Sequence, residues 1–245
     1  RAEWQKAAPS AATLERLEKA DAPTYEAITR RFFHWDAIDI HYRGRVVRSS
    51  GHGFAGLSRQ TLLTVLEERA RELGVDLRFE SEVKHFADVA DADLVLVADG
   101  VNSLVRAELA DRFVPTIDFR PNRFVWLGTT KPFEAFTFYF NETEHGLFQV
   151  HAYQYEANQS TFIVECSEET YLRAGLDKAT EDETIAHCEK VFANELGGHR
   201  LLKNRSIWRA FPVIRNKTWH TGNAVLIGDA AHTAHYSIGS GTKLA

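Results

Sequence analysis

Residues 225–245 read VLIGDAAHTAHYSIGSGTKLA. Residues 225–227 are apolar and end at Gly228 and Asp229, a pattern that predicts a buried parallel strand with an acid at its carboxyl end. Ligands of open α/β sheets bind at this edge. The segment therefore predicts an α/β fold with a ligand site beside Asp229.

A glycine-rich loop follows this strand. Gly239, Ser240 and Gly241 precede Thr242, where a new helical pattern begins. Bare backbone N–H groups at the positive end of a helix favour an electron-rich, partly anionic ligand. The alternative stays open at this point: the segment would then form a strand, an acidic turn and a glycine-rich loop that bind no ligand.

A second apolar run, residues 94–97, ends in the same way. It is followed by Asp99 and Gly100, and then by Ser103 and Arg106 in the order D-G-x-x-S-x-x-R. Gly100 permits a tight turn, and Ser103 is suited to begin a helical turn. The sequence thus contains two strands that each end in an acid.

These two motifs in this order resemble those of the FAD-dependent aromatic hydroxylases of the single-component, para-hydroxybenzoate-hydroxylase-like class. Three further segments resemble the branch of the violacein-pathway tryptophan hydroxylase and the salicylyl-CoA and aminobenzoyl-CoA monooxygenases: LFQVHAY (147–153), STFIVECSEETY (160–171) and HYSIGSG (235–241). The resemblance extends from about Phe32 to the end of the chain.

The resemblance implies a domain organisation. It predicts an α/β, FAD-binding Rossmann-like domain (51–112 and 222–245), an inserted β-sheet-rich substrate domain (113–221), and a helical segment with a β-hairpin (1–50) attached to the FAD domain. In this class a G-x-G-x-x-G fingerprint lies near the N-terminus, ahead of the hairpin. Because none is found there and the chain contains no Met, we expect a fragment or a sequence with omitted residues.

The resemblance also implies a reaction. FAD takes a hydride from NAD(P)H, adds O₂ at its C4a carbon, and the resulting hydroperoxide transfers oxygen to an electron-rich aromatic substrate. The protein must hold the ring near that oxygen and exclude water. A non-catalytic flavin- or nucleotide-binding module is the alternative from another functional class.

Cofactor-binding roles follow from the same resemblance. Asp229, next to Gly228, would accept hydrogen bonds from the ribityl chain, and Gly239, Ser240, Gly241 and Thr242 would offer N–H groups to the flavin. Asp99 and Gly100 would lie where flavin and nicotinamide approach, with Arg106 bracing their loop. Arg59 would pair with the pyrophosphate, and a cation in the first turn of a helix does call for an anionic partner.

The candidate catalytic residues are His235, Tyr236 and His151. The loop departs from the common family pattern, because Tyr236 and Lys243 stand where proline and asparagine are usual. His232 and His235 form an H-x-x-H pair, but no third ligand lies nearby, so we predict no metal.

Residues 51–56, GHGFAG, match the dinucleotide fingerprint by spacing, and Glu80 follows a predicted strand at 76–79. The preceding segment, 45–50, is polar, and Ser58 is the better cap for a helix over 58–73. We therefore interpret 51–56 as a connecting loop.

The rest of the chain predicts helices within 1–30, a hairpin over 32–47, a sheet within 113–208 and a helix over 180–196. Gln149, His151 and Tyr153 share one face of a strand by period two. They are candidates for substrate contact, with satisfied core polar groups as the equal alternative.

Composition sets the remaining bounds. The net charge of −5, with both signs interleaved, excludes the basic stripe that nucleic acid requires. Cys166 and Cys188 form no C-x-x-C pair, which favours a reducing compartment.

No apolar run approaches the length of a membrane span, so the expected location is cytoplasmic. Association into a homodimer stays open.

Overall fold

The structure is a computed structural model that describes residues 6–7, 11–203 and 205–234. The helices are α1 Ala11–Ala20, α2 Ala22–Thr29, α3 Arg59–Glu72, α4 Leu104–Glu108, α5 Ala110–Phe113, α6 Glu168–Arg173, α7 Glu181–Val191 and α8 Ala193–Leu196. The strands are β1 Lys6–Ala7, β2 Phe33–Trp35, β3 Ile38–Tyr42, β4 Arg45–Ser49, β5 Phe54–Ser58, β6 Val95–Val97, β7 Pro115–Thr129, β8 Phe136–Thr143, β9 Gly146–Glu156, β10 Gln159–Cys166, β11 Leu201–Leu202, β12 Arg209–Asn216, β13 His220–Thr221 and β14 Ala224–Leu226. Short 3-10 turns span Phe86–Asp88 and Gly228–Ala230.

The chain divides into two compact units. Unit 1 comprises residues 1–74 and 121–210, and unit 2 comprises residues 75–120 and 211–245. These limits differ from those of the predicted domains, since residues 1–74 group with the large sheet. The assignment of FAD and substrate binding to particular domains stays a prediction.

The large sheet has the order β11-β7-β10-β9-β8-β3-β4, with β12 paired to β7. In unit 1 its core face carries alternate apolar residues of the sheet predicted within 113–208, among them Phe148, Val150 and Phe162, packed against Cys188 of α7 and Phe192 before α8. The alternation of the strands confirms this predicted sheet. The predicted helix over 180–196 is interrupted at Phe192, which separates α7 from α8.

The β3–β4 hairpin also belongs to the large sheet, because β3 pairs in parallel with β8. Its turn places Arg43 at φ 48° and Gly44 at φ 73°, as a tight two-residue hairpin turn requires. The sequence predicted the hairpin but not its partner strand. That pairing joins residues about a hundred positions apart and has no local signal.

A second sheet in unit 1 has the order β1-β5-β2 and packs against α3. Gly56 lies inside β5, and the carboxylate of Asp36 accepts hydrogen bonds from the N–H groups of Gly51 (2.8 Å) and Gly53 (3.2 Å). These two hydrogen bonds lower the pKa of Asp36. Residues 51–53 therefore connect β4 to β5, as predicted, whereas residues 54–56 belong to the antiparallel strand β5 and not to a loop.

Unit 2 contains a three-stranded sheet of order β13-β14-β6. Its core is formed by Val97, Val105, Phe113 and Leu226 with three alanines. Leu94 and Leu96 are more than half exposed, so β6 buries one face only. This differs from the expectation of a strand buried on both sides.

The predicted strand over 76–79 is wrong. Residues 75–78 have no regular structure, and Glu80 adopts φ 55°. A strand needs a partner for its backbone groups, and no described strand pairs with this segment. Across the described ranges, no helix has the length and hydropathy needed to cross a membrane.

Candidate functional site

The two predicted strand ends lie side by side in unit 2. Strand β6 pairs in parallel with β14, with Val97 opposite Leu226, and the N–H of Ile227 donates to the carbonyl of Val97 at 3.0 Å. Because the strands are parallel, Asp99 and Asp229 both follow the same edge of one sheet. The structure therefore brings the two motifs to the same sheet edge.

Asp99 organises the loop after β6. One carboxylate oxygen accepts the N–H groups of Leu104 (2.9 Å) and Val105 (3.4 Å), while Ser103 caps α4 through the N–H of Arg106 at 3.0 Å. Gly100 turns the chain at φ 83°. The motif thus begins a helix, as the sequence predicted, and Asp99 has a structural role at its first turn.

Arg106 connects the two motifs. Its side chain is buried, and its guanidinium donates to the carbonyl of Ala230 at 3.0 Å and to the carbonyl of Val101. Burial lowers the pKa of Arg106, and the nearby charge of Asp99 opposes that effect. Arg106 therefore braces the loops from within the protein, as the resemblance implied.

Two residues that the sequence analysis missed also hold the loop after β14. The amide of Asn216 donates to the carbonyl of Ala231 at 2.6 Å. The hydroxyl of Thr233 donates to the carbonyl of Pro212 (2.7 Å) and accepts the N–H of Ile214 (2.8 Å). Thr233 follows the GDAAH motif directly, whereas Asn216 has no recognisable sequence signal.

Between these anchors the loop presents Asp229. Gly228 lies at φ 58°, a conformation that favours glycine, and Asp229 is exposed at the start of the following turn. An exposed carboxylate at a sheet edge is an acceptor suited to sugar or ribityl hydroxyls. The exposed carboxylate at this edge fits the polyol part of FAD, whose hydroxyls are donors.

His232 lies at the end of this turn. Its backbone N–H donates to the carbonyl of Gly228 at 3.0 Å. Its Nδ1 is buried and makes no hydrogen bond to any group in the described ranges. Within those ranges no cluster of three potential metal ligands occurs.

Arg59 lies in unit 1 and is the first residue of α3. The hydroxyl of Ser58 caps this helix by accepting the N–H of Thr61 at 3.2 Å. Arg59 is exposed at this positive helix end. The position is the one predicted from the sequence, and its pairing with a pyrophosphate stays a prediction.

Gln149, His151 and Tyr153 lie on the face of the large sheet opposite the helix-packed core. His151 is buried, with ring centroids 4.8 Å from Phe138 and 6.3 Å from Phe136. Burial raises the pKa of Tyr153 to about 12. We call this surface, formed by alternate residues of β7, β8, β9 and β10, the aromatic face.

Several candidate residues lie outside the described residues. They belong to the loop and the helix start after position 234: His235, Tyr236, Gly239, Ser240, Gly241 and Thr242. Their roles stay predictions.

Residues 11–245 match the family described as FAD binding domain. Salicyloyl-CoA 5-hydroxylase of a Streptomyces species is 42% identical over 244 residues, which cover 96% of this chain and 47% of that protein. A 3-hydroxy-4-methyl-anthranilyl-[aryl-carrier protein] 5-monooxygenase of Streptosporangium sibiricum is 40% identical over 234 residues, covering 96% of this chain and 62% of that protein.

Solved structures give the same fold. The crystal structure of 2-methyl-3-hydroxypyridine-5-carboxylic acid oxygenase superposes with a TM-score of 0.79 at 17% identity, covering 100% of this chain and 70% of that one. The chain spans about half to two thirds of the length of the curated relatives named above. It belongs to the family described as FAD binding domain and has the para-hydroxybenzoate-hydroxylase-like α/β fold.

Proposed function

We propose that the protein is an FAD- and NAD(P)H-dependent monooxygenase that hydroxylates an electron-rich aromatic substrate. The observation that carries this proposal is the parallel pairing of β6 with β14, which brings Asp99 and Asp229 to one sheet edge. Family membership supports FAD as the cofactor. When bound, the flavin supplies hydride uptake from NAD(P)H and activation of O₂ at its C4a carbon.

The residues of this chain would hold that cofactor. The carboxylate of Asp229 would accept hydrogen bonds from the hydroxyls of the ribityl chain. Arg106 holds the loop that carries Asp229 by donating to the carbonyl of Ala230. Arg59, at the start of α3, would pair with the pyrophosphate, and the dipole of the helix favours an anion at the same position. The backbone N–H groups of residues 239–242 stabilise negative charge on the flavin ring.

The aromatic face would receive the substrate. The rings of Phe136 and Phe138, whose planes lie 75° apart, offer apolar contacts, and His151, opposite Phe138 on β9, adds a polar group beside them. His235 and Tyr236 are the candidate residues for contact with the substrate or the flavin. Substrate binding then belongs to 113–221 and FAD binding to 51–112 and 222–245.

The relatives indicate a substrate class. One acts on a CoA thioester and another on an aromatic acid attached to a carrier protein, according to their names. We infer that this protein takes a hydroxy- or amino-substituted benzoyl group as a thioester, with O₂ as the second substrate.

The test is the flavin content of Asp229→Ala. Loss of the carboxylate should remove most of the bound FAD, read from absorbance of the purified protein near 450 nm, while the far-UV circular dichroism spectrum is retained. Asp111→Ala, an exposed acid in the same unit that pairs with Arg112, is the control and should keep its flavin. Unchanged flavin in Asp229→Ala would overturn the proposed cofactor site.

A second measurement separates the enzyme from a non-catalytic binding module. The flavin-loaded protein should oxidise NADH or NADPH faster when salicyloyl-CoA is added, with formation of a hydroxylated product. A protein that binds FAD but shows no stimulated oxidation and no product with any aromatic thioester would support the binding module instead.

A further inference from the structure

Strand β4 lies at one edge of the large sheet. Its five residues are all exposed, and no strand within the described ranges pairs with its outer side. Val46 is 57% exposed and Val47 is 63% exposed. An open edge of this kind is a template for another strand unless a bulge, a proline or a charge prevents the pairing. All of β4 is described, and it contains no proline and no break in its register with β3.

The charge of Arg48 is compensated within the hairpin. Its guanidinium donates two hydrogen bonds, each 2.6 Å long, to the carboxylate of Asp39 on β3. The ion pair lies across the β3–β4 register and leaves the outer side of the strand to the backbone. Arg48 therefore protects this edge less than an unpaired cation would.

The hairpin register determines which backbone groups of β4 face outward. The two-residue turn 43–44 joins the strands, and Tyr42 lies opposite Arg45. In a two-residue hairpin the pair that flanks the turn exchanges both N–H···O bonds, and such pairs alternate along the ladder. Every second residue from Arg45 therefore bonds to β3, and the N–H and C=O groups of Val46 and Arg48 point away from the sheet.

We propose that β4 pairs antiparallel with β4 of a second copy of this chain, about a two-fold axis at Val47. In this register Val46 lies opposite Arg48 of the second copy, and the axis generates the same pair again. The outward N–H and C=O groups of both residues are then all bonded, and the two large sheets become continuous. The two Val47 side chains meet at the axis in a pair without hydrogen bonds, where side chains are closest.

The other symmetric registers fit less well. An axis at Arg48 would place two arginines directly opposite each other, which is unfavourable. An axis at Val46 would place Arg48 opposite Gly44, where the chain already turns at φ 73°. A shift by one residue would set the outward groups against groups that are already bonded to β3. With the axis at Val47, Arg45 instead lies opposite the neutral Ser49, so charge and hydrogen bonding select this register.

Cysteine cross-linking tests the register directly. In Val47→Cys the two thiols should face each other with their Cα atoms about 4.5 Å apart, a separation that a disulfide spans. Val46→Cys is the matched control, because its two thiols would occupy diagonal positions with Cα atoms about 7–8 Å apart, too far for a disulfide. With oxidised glutathione as the oxidant, Val47→Cys should form covalent dimer at least about tenfold faster than Val46→Cys. The parent measures the background from the buried Cys166 and Cys188.

A second measurement tests the outward N–H of Val46. In analytical ultracentrifugation the parent should shift from one copy toward two as its concentration rises, because a small interface gives a weak, reversible dimer. Val46→Pro removes this N–H in each copy but keeps the hydrogen bonds to β3, so it should weaken association about tenfold. Val46→Thr keeps the N–H and should associate like the parent.

The inference does not depend on the proposed hydroxylase function. Cross-linking of Val47→Cys that is no faster than that of Val46→Cys would overturn it. A parent that remains a single copy over about a hundredfold range of concentration would also decide against it. Equal association of Val46→Pro and Val46→Thr would show that the copies meet through another surface. If Val46→Pro does not fold, as judged by circular dichroism, the comparison of the two cysteine variants decides.

Discussion

Replacing Arg106 tests the internal connection between the two loop motifs. Its guanidinium donates to two backbone carbonyls, those of Val101 and Ala230, from a side chain that is only 3% exposed. In Arg106→Ala both carbonyls lose a charged donor, and an unsatisfied buried group costs about 1–3 kcal/mol. The amide of Asn216, 3.4 Å from the carbonyl of Ala230, compensates part of this loss. We therefore expect the free energy of unfolding to fall by about 3 kcal/mol.

Urea unfolding followed by circular dichroism measures this change. With a dependence on urea of about 3 kcal/mol per molar, the midpoint should move down by about 1 M. Arg106→Lys can reach one carbonyl and should lose about half as much. Arg112→Ala, which removes an exposed arginine paired with Asp111, should change the free energy by less than about 0.5 kcal/mol. A loss below about 1 kcal/mol in Arg106→Ala would refute the bracing role.

Two further predictions concern unit 1. Ser58→Ala should lower the free energy of unfolding by about 1 kcal/mol, because the N–H of Thr61 loses its cap, whereas the exposed mid-helix change Thr64→Ala should have a smaller effect in the same urea titration. Hydrogen bonds from Arg69 lower the pKa of Asp21 from 3.8 to about 2, so its contribution to stability is complete above pH 4 and is lost as the pH falls toward 2. Asp21→Asn should flatten this part of the pH profile of thermal unfolding, and a profile that matches the parent's would contradict the role of the Asp21–Arg69 pair.

Much of the fold follows from local patterns in the sequence. The apolar runs at 94–97 and 225–227, each followed by an acid, predicted the strands now seen as β6 and β14. Ser58, Ser103 and Thr180 cap α3, α4 and α7 because their side chains reach N–H groups three residues on. Such interactions join neighbours in the chain, so composition and spacing reveal them.

The failed and missing predictions share a different cause. Residues 75–79 have the composition of a strand, yet no described strand pairs with them. The hairpin was recognised, but its parallel pairing with β8 was not. Whether a suitable segment becomes part of a sheet depends on a partner that is distant in sequence.

The sequence by itself determined the family, the α/β class and the two strands that are each followed by an aspartate. It also determined the alternation of side chains that places His151 on one face of β9. Only the tertiary structure decided that β6 and β14 are adjacent, that Arg106 reaches the carbonyl of Ala230, and that Glu165 is buried beside Asn122. The physical reason is the separation of the interacting residues along the sequence. Helix caps and strand alternation are set by residues a few positions apart, whereas these contacts join segments about 40 to 130 residues apart that meet only when the core forms.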